Sequence, residues 1–157
     1  MTAPDDHPVA AILAARGVPS RVISERPAVM SAIATCHRDI VACDDDVLSA
    51  AERCELARVA AHATDAPELH HWLSEQAPAA DLRRVSGDRA WRSLVTYAER
   101  LAAQPPAADD DDIALLFDAG VSAHQLVVAS QVVGLVCYEA RLLSALLALP
   151  AHDREPA

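Results

Sequence analysis

Imidazole, carboxylate and thiol side chains concentrate in one part of the sequence, and no other stretch holds so many titratable groups on predicted helix. Imidazoles and carboxylates suit general acid–base chemistry, whereas a thiol suits nucleophilic or redox chemistry. This stretch runs from Ser49 to Ser74, and its titratable side chains include Glu52, Cys54, Glu55, His62, Glu68, His70 and His71. We predict Glu55, His70, His71 and Cys54 as candidate catalytic residues. The alternative is that they are ordinary surface or paired side chains, because function needs a cleft and a perturbed pKa.

A second set of polar residues interrupts the apolar sequence near the carboxyl end. Gln131, Tyr138 and Arg141 fall close together on one side of the predicted helix there. Polar groups on so apolar a helix must find partners or line a cavity. We therefore predict these three residues, together with His62, as ligand-binding residues. The alternative is that Glu139 and Arg141 pair with other buried or interfacial charges.

The four cysteines carry no recognisable metal or redox motif. Cys36, Cys43, Cys54 and Cys137 form no Cys-x-x-Cys and no zinc-type pairing with histidine. We predict four buried, reduced thiols, no metal site and no cofactor. Two alternatives stay open, because Cys36 and Cys43 share a helix face and could form a redox pair, and the loop aspartates at 44–46 could hold a cation.

The composition describes an acidic, largely apolar chain. Of its 157 residues, 52% are hydrophobic and 3% aromatic, so the core is expected to consist of closely approaching helices with small side chains. The net charge of −10 and the scattered arginines argue against nucleic acid as a partner. No secretory signal pattern opens the chain, and charged residues interrupt the apolar stretch at 126–149. We predict a cytoplasmic protein with no membrane partner.

Helix signals place the candidate residues on an all-α bundle of six to seven helices. Capping boxes are predicted at Ser49, Asp65 and Ser122, each followed three residues later by Glu or Gln. The helix that starts at Pro27 carries an apolar stripe. Its members are Val29, Ile33, Cys36, Ile40 and Cys43.

Residues 27–149 are predicted to form a single domain. An N-terminal helix and connection at 1–26 precede it, and a loose tail at 150–157 follows it. Residues 79–85 are predicted as a further turn or short helix. The loop at 104–112 is not a domain boundary, because too few residues follow it to build an independent core.

Several segments, in their order and spacing, resemble the AhpD-like superfamily of carboxymuconolactone decarboxylase (CMD-domain) proteins, in particular its peroxidase-related branch. The segments are Glu25-Arg26-Pro27, Leu48-Ser49-Ala50-Ala51-Glu52-Arg53, Ala119-Gly120-Val121-Ser122 and Tyr138-Glu139-Ala140-Arg141. The resemblance covers most of the chain after Arg26. It implies an AhpD-like helical fold and a homo-oligomer, namely a trimer, hexamer or dimer.

The dithiol motif of the catalytic branch is missing from this sequence. That branch uses Cys-x-x-Cys, a histidine four residues later and an upstream glutamate, because a thiolate attacks, a second thiol resolves and the other groups move protons. The resemblance places the two sulfur positions at Ala66 and Leu69 and the histidine position near Leu73. The glutamate position falls at or beside Cys54 and Glu55, and His70 and His71 are the nearest imidazoles.

Three functions follow from the resemblance and the residues. The first is an alkylhydroperoxidase-related protein that is weakly active or inactive as a peroxidase, with any redox activity dependent on Cys54 or the other cysteines. The second is a non-redox lyase or small-carboxylate-binding protein, with a small-molecule ligand clamped by Arg141. The third is a non-catalytic oligomeric partner of an active homologue.

Overall fold

The computed structural model describes residues 7–19, 24–76, 88–105 and 110–149, and within these ranges the chain forms seven α-helices and no strand. They are α1 (Pro8–Ala15), α2 (Pro27–Ile40), α3 (Ala50–Ala63), α4 (Pro67–Gln76), α5 (Arg89–Ala103), α6 (Asp110–Asp118) and α7 (Ala123–Leu147). The all-α bundle of six to seven helices is confirmed. The turn or short helix predicted at 79–85 and the tail at 150–157 lie outside the described residues.

Helix α3 lies at the centre of the bundle, where it packs against α4, α5 and α7. Leu56, Ala57 and Ala60 of α3 are fully buried, as are Ala98 of α5 and Ala129 of α7. Small side chains at these positions let the helix backbones approach closely at the packing density of a protein interior. The scarcity of aromatic residues in the sequence is therefore matched by an alanine-lined core.

Helix α1 packs against α4 and α7 rather than standing apart from the bundle. Val9 and Leu13 of α1 are fully buried. An ion pair between Arg16 and Glu68 joins the end of α1 to α4. The residue that precedes α1, His7, is consequently held against the interior of the bundle, and it is 2% exposed.

Three helices end in the same hydrogen-bond motif, which requires a residue in the left-handed backbone region. After α1 the amide of Val18 donates to the carbonyl of Leu13, and Gly17 takes a φ of 68°. Gly120 takes a φ of 95° after α6. After α3 it is Asp65 that occupies this position, with a φ of 53°.

The capping box predicted at Asp65 is wrong, whereas those at Ser49 and Ser122 are confirmed. Asp65 ends α3, because its amide donates to the carbonyl of His62. The carbonyl of Ala66 accepts the first hydrogen bond of α4, from the amide of His70. The short side chain of aspartate tolerates the left-handed region, so the residue serves the helix end before it rather than the helix start after it.

The apolar stripe predicted on α2 is only partly the face that the bundle buries. Ile33 is buried, but Val29 is 46% exposed, Cys36 is exposed, and Cys43 lies beyond the end of the helix. The buried face instead includes His37, which is 5% exposed. An imidazole rather than an aliphatic side chain therefore faces the interior from the last turn of α2.

Helix α7 buries one side along the bundle and exposes the other. Val132, Val136, Ala140 and Leu143 are buried, and Leu147 is half-buried. Among the described residues, α7 is the one helix long and apolar enough to cross a membrane, and 44% of its most apolar window is buried. Cytoplasmic localisation and homo-oligomer formation stay predictions.

Candidate functional site

Two of the predicted catalytic residues meet at the junction of α3 and α4, around an arginine that the sequence analysis did not select. Arg58 donates to both carboxylate oxygens of Glu55, over 2.8 Å from Nε and 2.6 Å from Nη2. Its Nη1 lies 3.2 Å from Nε2 of His70. The ring of His62 lies 5.6 Å from the ring of His70, measured between centroids.

The electrostatics of this junction favour a neutral imidazole. Partial burial lowers the pKa of His70, and the nearby charge of Arg58 lowers it further. A neutral His70 accepts a hydrogen bond from Arg58 at Nε2. Glu55 is occupied by the same guanidinium, so the negative charge of its carboxylate is already compensated. The junction is an ion pair with an attached neutral histidine, and Arg58 is not left free to bind an anion.

His71 and Cys54 do not join this junction as reactive groups. The side chain of His71 is 77% exposed and lies 3.5 Å from Glu75, one turn along α4. The thiol of Cys54 is buried and donates to the carbonyl of Leu73 over 3.6 Å. Burial raises the pKa of Cys54, and the charge of Glu55 raises it further. The thiolate form needed for nucleophilic attack is thus disfavoured.

The positions at which the resemblance places sulfur are packed as part of the hydrophobic core. Leu69 is fully buried and Ala66 packs against the core. Leu73, at the position of the histidine, is also buried. The structure therefore builds an apolar interface where the dithiol mechanism would need two accessible thiols.

We predict that the buried thiols resist modification. Cys54 and Cys137 are buried, and burial raises the pKa of both. Cys36 is exposed. In native protein treated with iodoacetamide, mass spectrometry should find Cys36 alkylated first and Cys54 and Cys137 alkylated only after unfolding. Alkylation of native Cys54 at the rate of Cys36 would contradict the packing described above.

The prediction of four buried thiols is therefore half correct. Cys54 and Cys137 are buried, whereas Cys36 is exposed and Cys43 is half-buried. All four are free in the structure, and none forms a disulfide. The stripe on α2 that was expected to hide Cys36 is turned toward solvent at that position.

The predicted ligand-binding residues of α7 lie on its exposed side. Gln131 and Arg141 are exposed, and Tyr138 is 46% exposed. Tyr138 lines an apolar groove of about 440 Å³ between α2 and α7. Other walls of the groove include Val29, Ile33, Cys36 and Leu135.

A different cluster, which the sequence analysis missed, is buried where α1, α2 and α7 meet. It consists of His7, the residue before α1, His37 in the last turn of α2, and Glu139 in the middle of α7. The three residues are 2%, 5% and 0% exposed. One potential ligand atom from each lies within 4.8 Å of the others.

One oxygen of Glu139 faces both imidazoles. Nδ1 of His37 is hydrogen-bonded to Oε1 of Glu139 over 3.0 Å. Nε2 of His7 is 3.3 Å from the same oxygen but is not aligned as a hydrogen bond. Three atoms of the cluster are buried without a hydrogen-bond partner, namely Nδ1 and Nε2 of His7 and Oε2 of Glu139. Buried polar atoms without partners are rare in native proteins and need an explanation.

The carboxyl group of Glu139 is held in its ionised form. Burial raises its pKa, but the hydrogen bond with His37 and the contact with His7 outweigh burial, and the pKa lies below its ordinary value. The interior therefore contains a carboxylate faced by two imidazoles. The ring of His37 is oriented by edge contacts with His7 and with Trp72 of α4, at centroid distances of 5.7 and 5.6 Å.

The donor set fits a divalent transition metal. Two imidazole nitrogens and one carboxylate oxygen are ligands of zinc and of the other late first-row metals. Two atoms bound at about 2.0–2.2 Å to a tetrahedral ion are roughly 3.3–3.5 Å apart. The observed separations from Oε1 are 3.0 and 3.3 Å, at or just below this value, and the third separation, between the two imidazole nitrogens, is at most 4.8 Å.

No local spacing marks these residues as a cluster, since His37 and Glu139 are 102 residues apart in the chain. The signal that the sequence does contain is Glu139 itself, a carboxylate on an apolar helix. Its need for a partner was predicted, but the partners come from helices whose packing the sequence does not specify. Arg141, the other charge considered there, is exposed.

The chain is similar to a known protein in its fold. No model of a protein family and no curated protein matches the sequence. Among solved structures, the chain is similar to the crystal structure of an uncharacterized peroxidase-related protein from Silicibacter sp. TM1040. The TM-score is 0.54 at 17% sequence identity, and the match covers 80% of this chain and 71% of the other. This chain therefore shares its all-helical fold with a peroxidase-related protein.

Proposed function

We propose that this protein binds one divalent transition-metal ion through Nε2 of His7, Nδ1 of His37 and Oε1 of Glu139. The observation that carries the proposal is the convergence of three buried side chains, each with one potential ligand atom within 4.8 Å of the others, in which both nitrogens of His7 and Oε2 of Glu139 are unpaired. A bound ion gives Nε2 of His7 a partner. It also compensates the buried charge of the carboxylate.

The competing explanation is a buried ion pair between Glu139 and a protonated histidine. It accounts for the hydrogen bond with His37. It leaves Nε2 of His7 unaligned beside the same oxygen. Each buried polar group left unpaired costs about 1–3 kcal/mol. Metal coordination uses His7 as well as His37, so it explains more of the cluster.

Among the described residues the cluster offers three ligands, the number found at catalytic rather than structural zinc sites. Structural zinc sites have four protein ligands, whereas catalytic sites have three and keep one position for water or substrate. The described residues supply three. With neutral imidazoles and one carboxylate, a divalent ion keeps a positive charge and acts as a Lewis acid.

We further propose that the protein is an AhpD-like member of the superfamily in which thiol chemistry has been lost. The burial of Cys54 and the apolar packing of Leu69 support the loss of thiol chemistry. The metal centre lies at α1, α2 and α7, away from the α3–α4 junction that the resemblance designates. Thiol-dependent peroxidase turnover is accordingly expected to be absent, and the superfamily name does not define the substrate.

Metal titration tests the proposal. Full-length protein is stripped with EDTA, dialysed and titrated with Zn²⁺ by calorimetry, and its metal content is measured by mass spectrometry. We expect one tightly bound zinc per chain and a higher melting temperature in the loaded protein, because a ligand at about 100 times its Kd stabilises by about 2.7 kcal/mol. Absence of stoichiometric binding, or binding without any effect on melting, would contradict it.

A further inference from the structure

We infer that the metal ion keeps one coordination position that takes water or a small monoanion, next to Oε2 of Glu139. This inference rests on the proposed function, because it concerns the same ion. The ligand class is small and singly charged, of the kind represented by hydroxide, hydroperoxide, azide and cyanide. Larger carboxylates are excluded.

The first argument comes from the unused oxygen of Glu139. Oε1 faces both imidazoles, whereas Oε2 is fully buried and has no hydrogen-bond partner among the described residues. A carboxylate that binds a metal through one oxygen keeps the other near the ion, within reach of a ligand at a further coordination position. A water or hydroxide bound there can donate a hydrogen bond to Oε2, which satisfies an atom that is otherwise unpaired.

The second argument is the balance of charge. A divalent ion with two neutral imidazoles and one carboxylate keeps one positive charge in a buried site. Glu139 is the one buried carboxylate in the described part of the chain, and the other buried charged side chain there, Arg53, is itself positive. Uncompensated charge is costly in a protein interior. A monoanion at the fourth position removes that charge.

The third argument is size. The cluster is 2%, 5% and 0% exposed at His7, His37 and Glu139, so the fourth ligand has to fit inside a nearly closed interior. The apolar groove lies between α2 and α7, the two helices that the His37–Glu139 hydrogen bond joins. Neither His37 nor Glu139 lines the groove. The packed contact between the two helices therefore separates the ion from the groove and excludes larger ligands.

The test uses Co²⁺ in place of Zn²⁺, because cobalt reports its coordination through visible absorption. Full-length protein loaded with one Co²⁺ per chain is titrated with azide, with cyanide and, separately, with benzoate. We expect the cobalt bands to shift with azide and cyanide and to saturate at one anion per cobalt. Benzoate should leave the spectrum unchanged. The His71→Ala variant, altered at an exposed histidine, should behave like the parent protein.

The possible results separate the two proposals. If cobalt binds and its spectrum ignores azide and cyanide, the fourth position is closed and this inference is wrong, while the metal site stands. If benzoate shifts the bands as azide does, the restriction to small ligands is wrong. If no stoichiometric cobalt spectrum appears, both the metal site and the open position are wrong.

Discussion

Replacing His37 with alanine is expected to weaken zinc binding at least about 100-fold, which corresponds to about 2.8 kcal/mol. The reason is that His37 supplies one of the three ligand atoms and is hydrogen-bonded to the carboxylate that supplies another. Replacement of residues that merely orient metal ligands already costs 10–100-fold in affinity. The measurement is the zinc Kd by calorimetry, with melting curves in zinc and in EDTA.

The matched control is His71→Ala. The side chain of His71 is 77% exposed and lies in a surface ion pair with Glu75, so its loss should leave zinc affinity unchanged. His37→Ala also removes a partner of Glu139, so a lower melting temperature in EDTA is expected for that variant alone. Unchanged zinc affinity in a folded His37→Ala variant would contradict the metal site.

Replacing Arg53 with alanine is expected to lower the free energy of unfolding, because Arg53 holds the loop before α3. The residue is 3% exposed, and its guanidinium donates to the carbonyls of Leu48 and Ile40 over 3.0 and 2.9 Å. It also pairs with Asp45. Arg53→Ala leaves two carbonyls and an acidic partner without their donor, so we expect a loss of about 2–4 kcal/mol of unfolding free energy.

The measurement is urea unfolding followed by circular dichroism, with Arg92→Ala as the control. Arg92 is exposed on α5, so its replacement should change stability by no more than about 0.5 kcal/mol. Equal effects of the two replacements would show that the buried hydrogen bonds of Arg53 do not stabilise the fold.

The pH dependence of the Arg53 effect follows from Asp45. The backbone amide of Leu48 and then the guanidinium of Arg53 lower the pKa of Asp45 from its ordinary value of 3.8. A lowered pKa in the folded state means that the contribution is present above the ordinary value and is lost as the pH falls through the lowered one. The stability difference between parent and Arg53→Ala should therefore shrink in acid, although the two backbone hydrogen bonds keep it above zero.

The parts of the fold that local chemistry determines were predictable from the sequence. Ser49 and Ser122 start helices because their hydroxyl groups accept from the third amide of the helix, an interaction within a few residues. Gly17 ends α1 because it enters the left-handed region without strain. The capping box predicted at Asp65 is wrong because an aspartate can start a helix or end one. At this position it ends the preceding helix, α3.

The candidate site was not predictable, because it depends on how helices pack. The stripe on α2 was predicted from apolar side chains, yet the bundle buries His37 and leaves Val29 and Cys36 exposed.

The titratable residues at 49–74 are close in sequence, and the structure pairs Glu55 and Arg58 with each other. His7 and Glu139 come from distant parts of the chain, and only the contacts of α1 and α2 with α7 bring them together.

The most direct test of the account is X-ray absorption spectroscopy at the zinc edge of the loaded, full-length protein. The account predicts a coordination sphere of nitrogen and oxygen atoms at about 2.0–2.2 Å, with the outer scattering pattern of two imidazole rings and no sulfur. Four nitrogen or oxygen ligands are expected, three from His7, His37 and Glu139 and one from water or an anion. A zinc–sulfur distance near 2.3 Å, or the signature of fewer than two imidazoles, would contradict the assignment of this cluster as the metal centre.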